Sequence, residues 1–308
     1  MTISGFWACS CVLLSSLAYA AGQVTVEVTQ EQQQFLAGEP LKVAVRITNL
    51  SGQDLQLGAE EDWLTFALES REGGVVVPKL GEAPVTGVFV LPSSKVAIKR
   101  VDLAPYFLIS QQGTYQIVAT VRIKGWNREL TSPPKSFDII QGAKLWEQEV
   151  GVPKPPGATN SEPEIRRYIL QQANYLRGQI RLYLRITDPY GKPIRVFAVG
   201  PMISFGRPEH QVDRFSNLHV LYQDGPSSYN YTMCNVDGEV TARRTYDYID
   251  SRPRLRADPD GNITVVGGSR RITPEDVPRP NLGDSTEPPQ PSTNAPPVGQ
   301  LSVTKPGL

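Results

Sequence analysis

Three oxygen-bearing side chains fall within five positions of the segment RLRADPDGNITVVGG, namely Asp258, Asp260 and Asn262. Oxygens at such spacing are typical of calcium loops. A loop of the EF-hand type needs a glutamate six positions after its glycine, and Gly267 stands there instead. The order Asp-Pro-Asp-Gly fits a tight turn, because proline fixes φ and Gly261 accepts a left-handed backbone. We therefore predict a turn between two strands and no metal site.

Few other residues have the types and spacing that catalysis or metal binding requires. The two histidines, His210 and His219, lack a third ligand at a recognisable spacing, so we expect surface or hydrogen-bonded side chains. Cys234 could be a reactive thiol, but the strand-like run YNYTMCN favours a small buried side chain. The chain has no Gly-x-Ser-x-Gly elbow, phosphate-binding glycine loop or dinucleotide fingerprint. We predict a protein without enzymatic activity and without a cofactor.

One segment, ARRTYDYIDSRPRLR, concentrates arginine and tyrosine. Guanidinium groups bind anions and stack on rings, and tyrosine offers rigid apolar area with a polar end. The candidate binding residues are Arg243, Arg244, Tyr246, Tyr248, Arg252, Arg254 and Arg256. In the alternative interpretation, the tyrosines pack against one sheet face and the arginines solvate the other. The binding interpretation predicts an envelope or extracellular protein as partner, with an anionic glycan as the other candidate ligand.

The N-terminal run ISGFWACSCVLLSSLAYAAGQ predicts the compartment. It is apolar and ends in Ala-Tyr-Ala, a small-x-small cleavage pattern, so residues 1–20 are interpreted as a secretory signal. A retained membrane anchor is the alternative, although the run is short for a span. Cleavage would remove Cys9 and Cys11 and leave Cys234 without a partner for an internal disulfide. We expect a secreted or periplasmic protein with no transmembrane span after cleavage.

The overall charge gives no indication of a nucleic-acid partner. The chain carries 31 basic and 31 acidic residues, for a formal net charge of zero. No overall field therefore attracts nucleic acid or a membrane surface.

Residues 21–141 alternate apolar and polar positions in successive segments separated by turn residues, which predicts an antiparallel β-sandwich. The segment GEPLKVAVRITNLSGQDL resembles the early strands of bacterial secreted immunoglobulin-like domains. The segment GTYQIVATVRI resembles their late strand, in which a tyrosine buries its ring near the sandwich corner. The resemblance implies an immunoglobulin-like fold and says little about function, because that fold serves many functions.

Further along, VPKPPGATNSEP predicts a Pro-rich linker over residues 142–163. Residues 164–177 fit either a helix or a strand. The capping-box spacing from Ser161 to Glu164 and the apolar positions of the segment favour the helix slightly. Residues 277–308 are dense in proline and small polar residues, which predicts a disordered tail.

Between these segments, residues 164–276 predict a β-meander domain. PEHQVDRFSNLHVLY and PRLRADPDGNITVVG align without a gap at an offset of 45 residues, which is the period of a β-propeller blade. The stretch from Asn217 onwards resembles sialidase-type blades, although their Ser-x-Asp-x-Gly-x-Thr-Trp motif is missing. The chain has room for about two blades, whereas a closed propeller needs at least four. We therefore expect blade-like sheets whose edges need a cover.

The predicted fold class is all-β: an immunoglobulin-like antiparallel β-sandwich, a blade-like β-meander domain and a disordered C-terminal tail. The predicted function is non-enzymatic binding or scaffolding in the bacterial cell envelope or exterior. One alternative is a carbohydrate-active enzyme or accessory subunit with a partial sialidase-like propeller. The other is a proteinase inhibitor or chaperone built on the sandwich.

Overall fold

The computed structural model describes residues 24–154 and 164–278. The described residues form strands joined by turns, with three short 3-10 segments and no α-helix among them, so the predicted all-β class is confirmed. Within this part of the chain, no helix is long and apolar enough to cross a membrane. The predicted signal at residues 1–20 and most of the predicted tail lie outside the described residues.

The described residues of the first half form eleven strands. They are β1 (Val24–Gln30), β2 (Gln34–Leu36), β3 (Lys42–Asn49), β4 (Leu55–Leu57), β5 (Leu64–Ser70), β6 (Val75–Val76), β7 (Phe89–Leu91), β8 (Lys95–Asp102), β9 (Gly113–Ile123), β10 (Arg128–Thr131) and β11 (Lys135–Ile140). The second half contributes β12 (Ala143–Gly151), β13 (Ile165–Tyr175), β14 (Gln179–Thr187), β15 (Pro193–Met202), β16 (Glu209–Val212), β17 (Leu218–Gln223), β18 (Ser228–Cys234), β19 (Val240–Asp247), β20 (Arg254–Ala257), β21 (Ile263–Val266) and β22 (Ser269–Arg271). The 3-10 segments are Ala104–Tyr106, Lys124–Trp126 and Leu176–Gly178.

The N-terminal half is a sandwich of two sheets, with a separate antiparallel pair of β4 and β7. One sheet has the order β1-β3-β8, and the other has the order β2-β11-β9-β5-β6, with β10 beside the far end of β9. Alternate residues of each strand enter a shared core, as Val45 and Ile47 do from one sheet and Ile117 and Val121 from the other. The Tyr115 ring is buried, and its hydroxyl donates to the Gln111 carbonyl at 2.8 Å.

The C-terminal half stacks a four-stranded and a five-stranded antiparallel sheet face to face. The first meander is β12-β13-β14-β15, and the second meander is β16-β17-β18-β19, with β22 added beside β19. Leu184 and Ile186 of the first pack against Leu218 and Val220 of the second. Strands β20 and β21 form an outer hairpin on the opposite face of the second meander, where Leu255 joins its core. Burial of these apolar faces supplies most of the stability.

The first meander also contacts the sandwich through its other face. Leu36 and Ala173 pack with Tyr183 in a small core between the two halves. The Arg185 guanidinium donates to the Ala37 carbonyl at 2.7 Å. A Cβ on Gly38 would lie 3.3 Å from the Val196 side chain, so the chain of the sandwich approaches the meander closely there.

Two of the predicted segments differ in the structure. The favoured helix at residues 164–177 is wrong, because Ile165–Tyr175 is a strand at the centre of the first meander. Its burial alternates, with Tyr168 and Leu170 on one face. The predicted linker at 142–163 is wrong over Ala143–Gly151, which is an edge strand paired with β13. Its side chains are mostly exposed, so its apolar content did not distinguish it from a linker.

The predicted tail is wrong at its first residue, Val277, which pairs with the second meander. Val277 forms a bridge with Arg243 in β19, with hydrogen bonds of 3.0 and 3.1 Å in the two directions. Residues 279–308 lie outside the described part of the chain.

Within residues 164–278, one five-residue turn occurs four times, at residues 188–192, 213–217, 235–239 and 258–262. In each, the side-chain oxygen of the first residue, Asp or Asn, accepts the backbone N–H of the fifth. The fourth residue has a positive φ in every copy and is glycine in three of them. The first and third copies join the last two strands of the meanders. The second copy joins β16 to β17, and the fourth joins β20 to β21. These two hairpins are the segments that align at an offset of 45 residues, so they explain the sequence repeat.

Candidate functional site

The Asp258 segment is a turn, as predicted. Its Oδ1 accepts the Asn262 backbone N–H at 2.8 Å, and its Oδ2 accepts the Asn262 side-chain amide at 2.9 Å. These hydrogen bonds lower the pKa of Asp258. The carboxylate is thus engaged within its own turn. In the described part of the chain, no group of three or more His, Cys, Asp and Glu side chains is placed to hold a metal ion.

The equivalent turn of the second meander, at residues 213–217, makes additional contacts that the sequence did not indicate. Asp213 Oδ2 lies 3.2 Å from His219 Nε2, and His219 Nδ1 lies 2.8 Å from the Tyr231 hydroxyl. All three side chains are largely buried. They form a continuous polar chain from the turn into the sheet. Because buried polar groups need partners, this chain fixes the turn to the core of the second meander.

The remaining predicted chemical groups are separated from one another. His210 faces the opposite side of the second meander from His219 and stacks on Trp146, with ring centroids 4.3 Å apart. The two histidines therefore do not meet at one site. Cys234 is buried as predicted, and burial raises the pKa of its thiol to about 12. The thiolate that nucleophilic chemistry requires is strongly disfavoured there.

The stability of the C-terminal half should depend on pH through its two histidines. Burial lowers the pKa of both His210 and His219 below the usual value near 6.5. The unfolded chain therefore binds more protons than the folded chain just below that pH. The unfolding free energy should be constant above about pH 7 and fall as the pH decreases through about 6.5. Urea denaturation at a series of pH values measures this. In the double variant His210→Gln/His219→Gln, the decrease in unfolding free energy near pH 6.5 should disappear.

The structure divides the predicted arginine and tyrosine residues between two faces. Arg243 and Arg244 are neighbours in β19, so their side chains point to opposite sides of the sheet. Arg244 pairs with Tyr231 in register and shares its face with Tyr246. Arg243 pairs with Thr232 and shares the opposite face with Thr245. The predicted set is therefore two sites rather than one.

The first site is an arginine-rich face, which we define by Arg244, Tyr246, Tyr248, Arg252, Arg254 and Arg256. Arg254 and Arg256 are exposed on the outer hairpin, because the residue between them, Leu255, faces the core. Arg252 lies over the Tyr229 ring at 5.6 Å. Tyr246 is half-buried, with Arg270 over its ring at 5.6 Å, and Tyr248 is exposed. Arg244, Tyr246 and the outer hairpin therefore lie on one side of the second meander, and Arg243 lies on the other.

The second site is a polar cleft, which we call the Arg243 cleft. It has a volume of about 300 Å³ and lies between β15 and strands β17, β18, β19 and β22 of the second sheet. Its walls include Tyr222, Asp224, Asn230, Arg243, Thr245 and Glu275. Apart from Arg243, the sequence analysis missed these residues. One sequence signal could have indicated the cleft. Polar residues recur at alternate positions of β18 and β19, on the sheet face whose other residues pack into the core.

Comparisons with known proteins assign no family to the chain. No family model and no curated protein sequence matches it. Among solved structures it is similar to the crystal structure of Spo0M, a sporulation control protein from Bacillus subtilis, at 9% sequence identity. That match covers 54% of this chain and 80% of the Spo0M chain, with a TM-score of 0.29. A similarity at this level carries no argument about fold or function.

Proposed function

We propose that this chain is a non-enzymatic binding or scaffolding protein of the bacterial cell envelope or exterior. In this proposal the sandwich is immunoglobulin-like, and the two meanders correspond to blades of the sialidase type, followed by half of a third. The partner is an envelope or extracellular protein with an acidic surface. It binds the arginine-rich face.

A single observation supports this choice of surface. Arg244, Arg254 and Arg256 are exposed, and among the described residues none of them forms an ion pair with a carboxylate. Arg271, which lies on the opposite face of the second meander, in contrast pairs with Asp247 at 3.0 Å. Unpaired guanidinium groups on a rigid sheet offer forked donors for anionic groups of a partner.

Two exposed residues directly after β19, one aromatic and one aliphatic, add to the fit. Tyr248 and Ile249 are 48% and 66% exposed. Interfaces are enriched in tyrosine and arginine because these side chains combine large contact area with directed hydrogen bonds. An acidic protein surface therefore gains both charge pairing and apolar contact on this side of the molecule.

The test uses two triple variants with the same change in charge. One replaces Arg244, Arg254 and Arg256 by serine, and the other replaces the exposed Arg46, Arg71 and Arg128 of the sandwich by serine. Each is used with a mild crosslinker to capture partners from native envelope and culture fluid. We expect one stoichiometric protein partner, with capture reduced at least about tenfold by the first triple variant and unchanged by the second.

Two results would contradict the proposal. Equal capture by both triple variants would remove the arginine-rich face from the interaction. Retention of the chain on polygalacturonate resin, without any protein partner, would replace the scaffolding function by glycan binding.

A further inference from the structure

The Arg243 cleft contains an arginine that is held in place but lacks a partner for its charge. Val277 binds both the N–H and the carbonyl of Arg243, at 3.0 and 3.1 Å, so the backbone is fixed beneath the cleft. The side-chain Nε is buried and has no hydrogen-bond partner within the described residues. No carboxylate of this part of the chain forms an ion pair with the guanidinium. A half-buried cation of this kind is costly without an anion.

The same cleft also contains a carboxylate that lacks a partner for its charge. Asp224 is positioned by its backbone N–H, which donates to the Ser228 carbonyl at 3.1 Å. Its Oδ1 is buried and also lacks a hydrogen-bond partner among the described residues. Asp224 and Arg243 form no ion pair with each other, so the two opposite charges face one cleft without meeting.

The charges of Arg243 and Asp224 determine which charges a ligand of this cleft must carry. A simple anion would satisfy Arg243 and leave Asp224 buried without a partner, and a simple cation would do the reverse. Of the other charged residues in the lining, Arg271 already pairs with Asp247 at 3.0 Å. A ligand with one positive and one negative group and no net charge fits both. The volume of about 300 Å³ suits a small molecule.

We propose that the Arg243 cleft binds a small zwitterion with the chemistry of an amino acid. Its carboxylate pairs with the Arg243 guanidinium, and its ammonium group donates to Asp224. Asn230 and Thr245, which are already linked by a 3.1 Å hydrogen bond, form a neutral polar wall beside it. This function does not depend on the macromolecular partner of the arginine-rich face, because the cleft lies on the other face of the second meander.

The test uses three probes of nearly the same size. L-alanine carries both charges, propionate carries only the carboxylate and ethylamine carries only the ammonium group. Binding to the purified chain is measured by saturation-transfer NMR, together with a mixture of the standard amino acids to identify the preferred side chain. We expect a zwitterion to bind at least about tenfold more tightly than either single-charge probe, since each charged hydrogen bond contributes a factor of roughly ten or more.

Two variants test the positions. Arg243→Gln and Asp224→Asn should each weaken zwitterion binding at least about tenfold. Arg244→Gln, on the opposite face of the same strand, should leave it unchanged. The melting temperature shows whether each variant is folded. Equal affinity for propionate and L-alanine would reduce the cleft to an anion site and overturn the proposal. Absence of binding by every standard amino acid at millimolar concentration would overturn it as well.

Discussion

Replacing Gly58 by alanine should destabilise the sandwich by about 3 kcal/mol or more. Gly58 has a φ of +81°, and a Cβ there would lie 2.1 Å from the Gly87 carbonyl oxygen. The contact is with backbone, so no side-chain rotation can relieve it. Relief requires the segment that contains Gly87 to move away from β4, and that segment also binds Trp63. The Trp63 indole N–H donates to the Val85 carbonyl at 2.6 Å. Chemical denaturation of the variant measures the loss.

Gly52→Ala provides the matched control. Gly52 has nearly the same φ, +79°, but nothing lies within 4 Å of the position its Cβ would occupy. This variant therefore has only the backbone strain of a left-handed residue, about 1 kcal/mol. The difference between the two variants isolates the clash. Equal losses would mean that β4 and β7 are not held as closely as the structure shows.

The sandwich was largely predictable because its strands combine two local patterns that agree. In GTYQIVATVRI, every second residue is apolar and the ends carry turn residues, so the predicted strand corresponds to Gly113–Ile123. The short parallel strand β2, Gln34–Leu36, was missed. Three residues give no periodicity, and the strand exists only because β11 lies beside it.

The error at β13 has a different cause. Its apolar residues recur at helical spacing, and they also alternate, so both periods fit the segment. Tertiary structure decided between them, because β13 has strand neighbours on both sides, β12 and β14. The sequence could not show that a mostly exposed strand, β12, would supply one of those neighbours.

The candidate sites illustrate what composition alone can give. The arginines were found as a cluster in the sequence, but adjacent strand residues point to opposite faces, so the cluster could not be one surface. The alternation rule places Arg243 and Arg244 apart without any structure. The partners of Arg243 in its cleft follow from the register of β18 with β19 and from the packing of β15 nearby, and neither is encoded in local sequence.

His219→Ala should cause the second large loss, about 3 kcal/mol in the unfolding free energy. The change opens a cavity in the second meander. It also leaves the Tyr231 hydroxyl and the Asp213 carboxylate without their shared partner. Both groups are buried or nearly so, so each loses a hydrogen-bond partner in a region largely removed from solvent. Urea denaturation at pH 8 measures the loss with the histidine neutral in both folded and unfolded chains.

The repeated turn supplies the control that separates this network from ordinary turn capping. Asp213→Ala and Asp258→Ala remove the same backbone and side-chain hydrogen bonds from two copies of one turn. Only Asp213 also contacts His219. The Asp213 variant should therefore lose clearly more stability than the Asp258 variant, and the excess should vanish when both changes are made in a His219→Ala background. If the two variants lose the same unfolding free energy, the contact between Asp213 and His219 contributes no stability. The buried histidine then only fills space.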